Sequence, residues 1–342
     1  MAVRVGINGF GRIGRSFTRA LLDRGNDAGV GLVAVNDPMG DSHTVAFLLK
    51  HDSGGGTLAN DIRGTDNGFS IDGRDIRKLE LMDPAEIPWS DYDVDVVIES
   101  TGLFTAREKA ASHLGGSVGR VIISAPSGDA DATICMGVND SVYDAAQHTV
   151  ISNASCTTNC LAPMAKVLND RFGIVQGMMT TVHAYTSDQS LQDLAKMTRS
   201  GKPDLRRMRA AALSIIPAST GAAKAIGLVL PELNGKLHGT SLRVPTPTGS
   251  ITDLTALLAR DVTVHDVNAA FEEASNDKSY RGVLEYSEEQ LVSADIVGNP
   301  ASCIFSAEDT MAEGSFVKVL GWYDNEWGYS NRLVDLVAFV AG

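Results

Sequence analysis

The chain has 342 residues, enough for about two domains at roughly 150 residues each, and its 44% hydrophobic and 21% charged content is that of a folded globular protein rather than a disordered one. A formal net charge of −13 argues against nucleic acid or an anionic membrane as the main partner, because neutralising phosphates takes clustered Lys and Arg. No apolar run approaches the ~18 residues of a membrane span, four cysteines are too few for a disulfide framework, and Met1–Ile7 runs straight into a strand pattern, so the expectation is a cytoplasmic chain without a signal peptide.

Val3, Val5 and Ile7 alternate as in a strand, and Ile13, Phe17, Ala20 and Leu21 follow at helical spacing. Val30–Val35 is a continuous apolar run closed by Asn36-Asp37-Pro38. Val94–Ile98 and Val121–Ile123 are further buried-strand patterns, ending in Glu99-Ser100-Thr101-Gly102 and Ser124-Ala125-Pro126. This β-α-β alternation predicts a parallel sheet covered by helices. Between Asn60 and Arg77, the turn signals Thr65-Asp66-Asn67-Gly68 and Ile71-Asp72-Gly73 predict hairpins inserted among the parallel strands. Beyond Ser155 the style changes. A helix is expected over Cys156–Asp170, with Leu161, Met164, Ala165, Val167 and Leu168 inward and Gly173 as its stop. Alternating strands such as Thr240–Val244 and Ile251–Leu258 follow, an α+β pattern with an antiparallel sheet. Ser330–Val340 reads as a helix apolar enough to pack on a domain.

Two constellations carry chemistry. Gly9-Phe10-Gly11-Arg12-Ile13-Gly14 follows a strand, opens a helix, and has Asp37 at the end of the next strand. Glycines there let backbone approach a pyrophosphate, whose charge sits at a helix N-terminus. Asp37 would accept hydrogen bonds from ribose hydroxyls and repel a 2′-phosphate, favouring NAD over NADP. In Ser155-Cys156-Thr157-Thr158-Asn159-Cys160 the thiol of Cys156 stands at a helix start, where the dipole is expected to lower its pKa. His183 ends another β-rich run and is a candidate base for that thiol. Cys160, one turn along, reads as structural, and no Cys or His spacing suggests a metal site. The basic run Arg199–Pro203 with Arg206, Arg207 and Arg209 is either a solvated loop or a pocket for anions.

Taken together, Ile7–Arg15, Ser155–Cys160, His183-Ala184-Tyr185-Thr186, Ser219–Lys224 and Trp322–Ser330 resemble the phosphorylating, glycolytic glyceraldehyde-3-phosphate dehydrogenases from the first strand to the last helix. The resemblance implies an α/β chain: a Rossmann-type parallel sheet domain over 1–155 and 322–342, and a second α+β catalytic domain with an antiparallel sheet over 156–321. It implies Cys156 as nucleophile and His183 as base, with a thioester that inorganic phosphate cleaves to 1,3-bisphosphoglycerate. Thr186 and Arg243 would hold the substrate phosphate, and Ser155, Thr157, Thr220 and Gly221 the inorganic one, with Arg207 close by. Gly9, Gly11, Arg12, Ile13, Asp37, Thr101, Ser124 and Asn325 would form the NAD site, and a homotetramer is the usual assembly. The sequence departs from the family in three places. The segment Ala195–Pro203 is longer and more basic than usual, so Arg199 or Lys202 could meet a 2′-phosphate and NADP stays open. Met82 stands where a cofactor-contacting arginine is common, and His51–Gly56 has an unfamiliar triple glycine. An erythrose-4-phosphate dehydrogenase, which hydrolyses its thioester, and a non-catalytic dinucleotide-binding sensor are the competing readings.

Overall fold

A strand whose two faces are both covered must be apolar throughout, and Val5, Ile7, Val97 and Ile98 are wholly shielded from solvent. The computed structural model describes residues 2–195, 197 and 203–342. The described chain divides into two compact units: residues up to Ser155 together with Tyr329–Gly342, and Cys156–Gly328. The unit boundary near the C-terminus falls at Tyr329 rather than Trp322, because Phe316–Tyr323 is a strand of the second unit's sheet.

Among the described residues the first unit holds a nine-stranded sheet. Its spatial order is Ala132–Thr133, Val150–Ser152, Arg120–Ile123, Val96–Glu99, Val3–Asn8, Val30–Asn36, Arg74–Leu79, Gly68–Ile71 and Ile62–Thr65. The strands from Ala132–Thr133 through Arg74–Leu79 pair in parallel, and the last three form antiparallel hairpins at the two turns the sequence marks. The chain leaves Val3–Asn8 for Val30–Asn36 on one side and returns to Val96–Glu99 on the other. The crevice above these carboxyl ends is the topological switch point of the sheet, where open α/β sheets bind ligands. Helix Arg12–Arg24 begins at the glycine turn, and Asp41 caps Ser42–Lys50 by accepting from the Thr44 amide at 2.7 Å.

Among its described residues the second unit holds a seven-stranded sheet in the order Ile216–Ala218, Leu237–Val244, Ile174–Ala184, Ser250–Leu258, Phe316–Tyr323, Cys303–Glu313 and Leu284–Ser287. It is mainly antiparallel, with two departures from the expected pattern: Ile174–Ala184 pairs in parallel with Leu237–Val244, and Leu284–Ser287 with Cys303–Glu313. Strand Ser250–Leu258 alternates buried and half-buried residues, as one covered face requires. Helix Cys156–Phe172 packs on that face and stops at Gly173, whose φ of +72° is a left-handed conformation that glycine adopts without strain. Helix Val264–Ser275 starts at a Thr263–Asp266 capping box and stacks Phe271 on Phe305 with ring centroids 3.8 Å apart. The C-terminal helix runs over Trp327–Ala341. No helix among the described residues is long and apolar enough to cross a membrane. Arg199 and Lys202, the expected partners of a 2′-phosphate, lie outside the described residues.

Candidate active site

The glycine turn of the first unit assigns each glycine a different duty. Gly9 sits at φ +89°, and a Cβ there would lie 2.6 Å from the Thr101 nitrogen. A Cβ at Gly14 would lie 2.7 Å from the Gly9 carbonyl oxygen. At Gly11 a Cβ would meet nothing within 4 Å. Packing therefore demands the first and third glycines, while the second faces open space, which is what a pyrophosphate approaching the start of helix Arg12–Arg24 needs. Asp37 is half-buried beside the turn, its Oδ2 accepting from the Phe10 amide and its Oδ1 from the Met39 amide, each at 2.8 Å. Each oxygen keeps a lone pair for a ribose hydroxyl. Thr101 and Ser124 follow the adjacent strands Val96–Glu99 and Arg120–Ile123, both half-buried at the same edge. These residues fit a dinucleotide.

Arg12 is placed differently from the simplest expectation. Its guanidinium pairs with Asp52 at 2.9 and 3.3 Å, so what Arg12 and Ile13 bring to a pyrophosphate is the main chain of the first helical turn. The same carboxylate accepts from the Gly54 and Gly55 amides at 2.9 and 2.7 Å. Burial would raise the Asp52 pKa, but the Gly55 amide, the Arg12 guanidinium and the Gly54 amide outweigh it and hold the carboxyl below its usual range. Arg19 donates to the carbonyls of Gly55 and Gly56 at 2.7 and 2.9 Å. The triple glycine thus wraps its amides around an aspartate and its carbonyls around an arginine.

Sequence reasoning missed a buried polar group under the crevice. Glu99 accepts from Asn8 Nδ2 at 2.6 Å, His113 Nε2 at 3.1 Å, and the Thr101 amide and hydroxyl. Trp89 Nε1, which can only donate, reaches His113 Nδ1 at 3.1 Å, so the imidazole carries its proton on Nε2 and gives it to Glu99. Four donors saturate one buried carboxylate. The readable signal was a polar residue closing each apolar strand, Ile7-Asn8 and Ile98-Glu99.

In the second unit, Cys156 opens helix Cys156–Phe172 and His183 stands near the end of strand Ile174–Ala184, with Sγ 3.4 Å from Nε2. His183 Nδ1 lies 2.7 Å from the Ala184 carbonyl, which can only accept. The ring proton is therefore on Nδ1, and Nε2 presents its lone pair to the thiol. The expected lowering of the thiol pKa is overturned. Burial pushes Cys156 up to about 11 against the opposing Arg243 cation, and pushes His183 down to about 4 with Arg243 acting in the same sense. The resting pair is a neutral thiol donating to a neutral imidazole.

The parallel ladder places Arg243 directly opposite His183. Arg243 Nη1 donates to Thr186 Oγ1 at 2.8 Å and to the Ala184 carbonyl at 3.2 Å. The Thr186 hydroxyl donates to Asp188 Oδ1, and Asp188 faces Arg207 Nε at 3.4 Å. Arg207 Nη2 reaches the Ser219 carbonyl at 3.4 Å, against the turn that carries Thr220 and Gly221. Thr220 Oγ1 accepts from the Ala222 amide at 3.2 Å just ahead of helix Ala222–Val229, and Gly221, the N-cap, is exposed with open space where a Cβ would be. The hydroxyl of Thr157, a residue expected to hold the inorganic phosphate, lies against Tyr323. It is buried, 2.9 Å from the Tyr323 hydroxyl, which in turn lies 2.7 Å from Thr181 Oγ1. Its main-chain amide, with that of Cys156, points at the sulfur. Ser155, half-buried, directly precedes the helix. Asn325 is buried with its Oδ1 accepting from Ser250 Oγ at 2.9 Å, so its amide nitrogen is the group left to donate to a ligand.

Residues 3–107 match the model of the glyceraldehyde 3-phosphate dehydrogenase NAD binding domain, and residues 155–325 that of the glyceraldehyde 3-phosphate dehydrogenase C-terminal domain. The chain is 57% identical over 341 residues to a glyceraldehyde-3-phosphate dehydrogenase of Streptomyces coelicolor, covering 99% of each. It is 55% identical over 338 residues to glyceraldehyde-3-phosphate dehydrogenase 1 of Bacillus cereus, covering 98% of each, and 56% identical over 344 residues to the glyceraldehyde-3-phosphate dehydrogenase of Mycobacterium leprae, covering 99% of each. With the cofactor turn in one unit and the thiol–imidazole pair in the other, the chain belongs to the glyceraldehyde-3-phosphate dehydrogenase family.

Proposed function

We propose that the chain oxidises glyceraldehyde 3-phosphate, with NAD and inorganic phosphate, to 1,3-bisphosphoglycerate through a thioester on Cys156. The observation that carries this reading is the 3.4 Å approach of the Cys156 sulfur to a His183 nitrogen whose lone pair the Ala184 carbonyl has fixed. His183 Nε2 takes the thiol proton as sulfur adds to the aldehyde carbon. The cost of charging either buried group alone is avoided because both charges appear together and the sulfur's is shared at once with carbon. The Cys156 amide at the helix start, beside the sulfur in the resting site, donates to the oxyanion that develops on the carbon the sulfur attacks. His183 returns its proton to that oxygen and takes it again when the hemithioacetal is oxidised. The Gly9–Gly14 turn, Asp37, Thr101 and Ser124 would hold NAD, the Asn325 amide would meet its nicotinamide, and the cofactor, when bound, would accept the hydride. Thr186 and Arg243 hold the substrate phosphate. Thr220, Gly221, Ser155 and the Thr157 amide, with Arg207 nearby, take the inorganic phosphate that cleaves the thioester.

The test is a steady-state comparison of NAD with NADP, with and without phosphate. NADH formation that requires phosphate or arsenate is expected. A rate indifferent to both would replace this reading by hydrolysis of the thioester. Cys156→Ser should abolish oxidation while NAD binding persists, since the cofactor turn stands in the other unit; a variant retaining the native rate would remove Cys156 from the chemistry. We also propose a homotetramer in the cytoplasm. The four thiols are unpaired, as a reducing compartment keeps them, and Leu191, Leu194, Leu205, Leu213 and Ile215 are exposed in the second unit.

A further inference from the structure

Thr186 has one hydroxyl proton, and in the resting site it goes to Asp188 Oδ1 while Arg243 Nη1 occupies the oxygen at 2.8 Å. The other carboxylate oxygen of Asp188 faces the Arg207 guanidinium. One aspartate therefore links the arginine of the substrate-phosphate side to the arginine of the inorganic-phosphate side. Arg207 is held loosely: 3.4 Å to Asp188, 3.8 Å to Asp204 and 3.4 Å to the Ser219 carbonyl are all long contacts. Contacts of this length are weaker than the short, bidentate pairs an arginine can make with a carboxylate or phosphate. Asp188 itself is half-exposed, so its carboxylate can swing into water.

We propose that Asp188 is a built-in competitor for the anions of this site. Its carboxylate holds the Thr186 proton and the Arg207 charge that an incoming phosphate group needs, and binding displaces it. The inference rests on the reading of Thr186, Arg243 and Arg207 as anion ligands given above. In an acidic chain that must bind anionic substrates and release an anionic product, such a carboxylate weakens binding and speeds release. It also keeps the Arg207 cation neutralised until the substrate arrives.

The experiment uses the full chain with NAD and glyceraldehyde 3-phosphate, inorganic phosphate as the varied substrate and inorganic sulfate as an unreactive competitor. Asp188→Asn is expected to lower KM for both phosphate-bearing substrates and the inhibition constant of sulfate by about three- to tenfold, the scale of a partly exposed charge pair. The kcat should fall with them, because the acyl phosphate leaves more slowly. Asp188→Ser, which also removes the charge, should do the same and stands in should the first variant fail to fold. Asp188→Glu, which keeps it, should stay near the native constants. Loss of an ordering contact would instead raise KM as kcat falls. A raised or unchanged KM and sulfate constant in Asp188→Asn, with the native chain phosphate-dependent, overturns the competitor. A native chain indifferent to phosphate overturns the proposed reaction instead, and sulfate inhibition then still decides the role of Asp188.

Discussion

Burial acts on Cys156 and His183 in opposite senses, raising the thiol to about 11 and lowering the imidazole to about 4, because in both it disfavours the charged form. Both residues and their pairing were legible in the sequence, as a cysteine opening a helix and a histidine ending a strand. Their protonation was not, because the helix dipole is a local signal while burial and the Arg243 cation come from the folded sheet. The shift at His183 has a thermodynamic consequence. As pH falls below the ordinary value of 6.5, the unfolded chain takes up a proton that the native site refuses until about 4. Stability present above 6.5 is therefore lost on acidification, by up to about 3 kcal/mol from this residue. His183→Asn removes the linkage, so its urea-unfolding free energy should fall less steeply than the native chain's between pH 6.5 and 4.5; parallel profiles would show that His183 carries no such shift. The same variant should lose about 10²- to 10⁴-fold in kcat, the range for a missing general base, and an undiminished rate would end that assignment.

Between elements, what was legible depended on how far apart the paired segments lie in the chain. The hairpins around Asn67-Gly68 and Asp72-Gly73 were readable because four adjacent residues set each turn. The parallel pairing of Ile174–Ala184 with Leu237–Val244 was not, since two alternating strands separated by some fifty residues do not declare their direction locally. Yet that pairing is what sets Arg243 beside His183. The Thr157–Tyr323–Thr181 hydroxyl chain was hidden for the same reason, and so was the use of the triple glycine around Asp52 and Arg19. The turn at Gly9 is the reverse case, where a sequence motif stated the geometry in advance. A methyl group there would enter the Ser100–Thr101 backbone at 2.6 to 2.8 Å while imposing strain at φ +89°. Gly9→Ala should therefore lower unfolding stability by about 1–3 kcal/mol and weaken NAD binding. Isothermal titration with NAD beside a denaturant melt checks both, and an unaltered melt would show that the two strand ends part without penalty.

For the whole molecule, the charge of −13 opposes the approach of a second copy at long range. The proposed tetramer must then rest on short-range apolar contact, and the second unit displays the means. Leu191, Leu194, Leu205, Leu213 and Ile215 are all exposed, with Leu191 and Leu213 more than 80% accessible. They share one ribbon of chain: Ser190 N donates to the Arg207 carbonyl, Leu194 N to that of Met208 and Ala211 N to that of Ser190, at 2.9 to 3.0 Å. An apolar ribbon of this kind, flanked by aspartates and arginines, is the kind of surface that interaction sites use. Two consequences separate apolar assembly from charge pairing. Raising ionic strength screens the net repulsion and leaves the apolar term intact, so the proposed tetramer should hold or strengthen from low to moderate salt. Replacing Leu205 and Leu213 together by Asp should shift sedimentation equilibrium toward smaller species at every salt concentration, while NAD binding by the other unit persists. A tetramer that dissociates in salt yet tolerates the two aspartates would assign its interface to ion pairs, and the exposed leucines to some other surface.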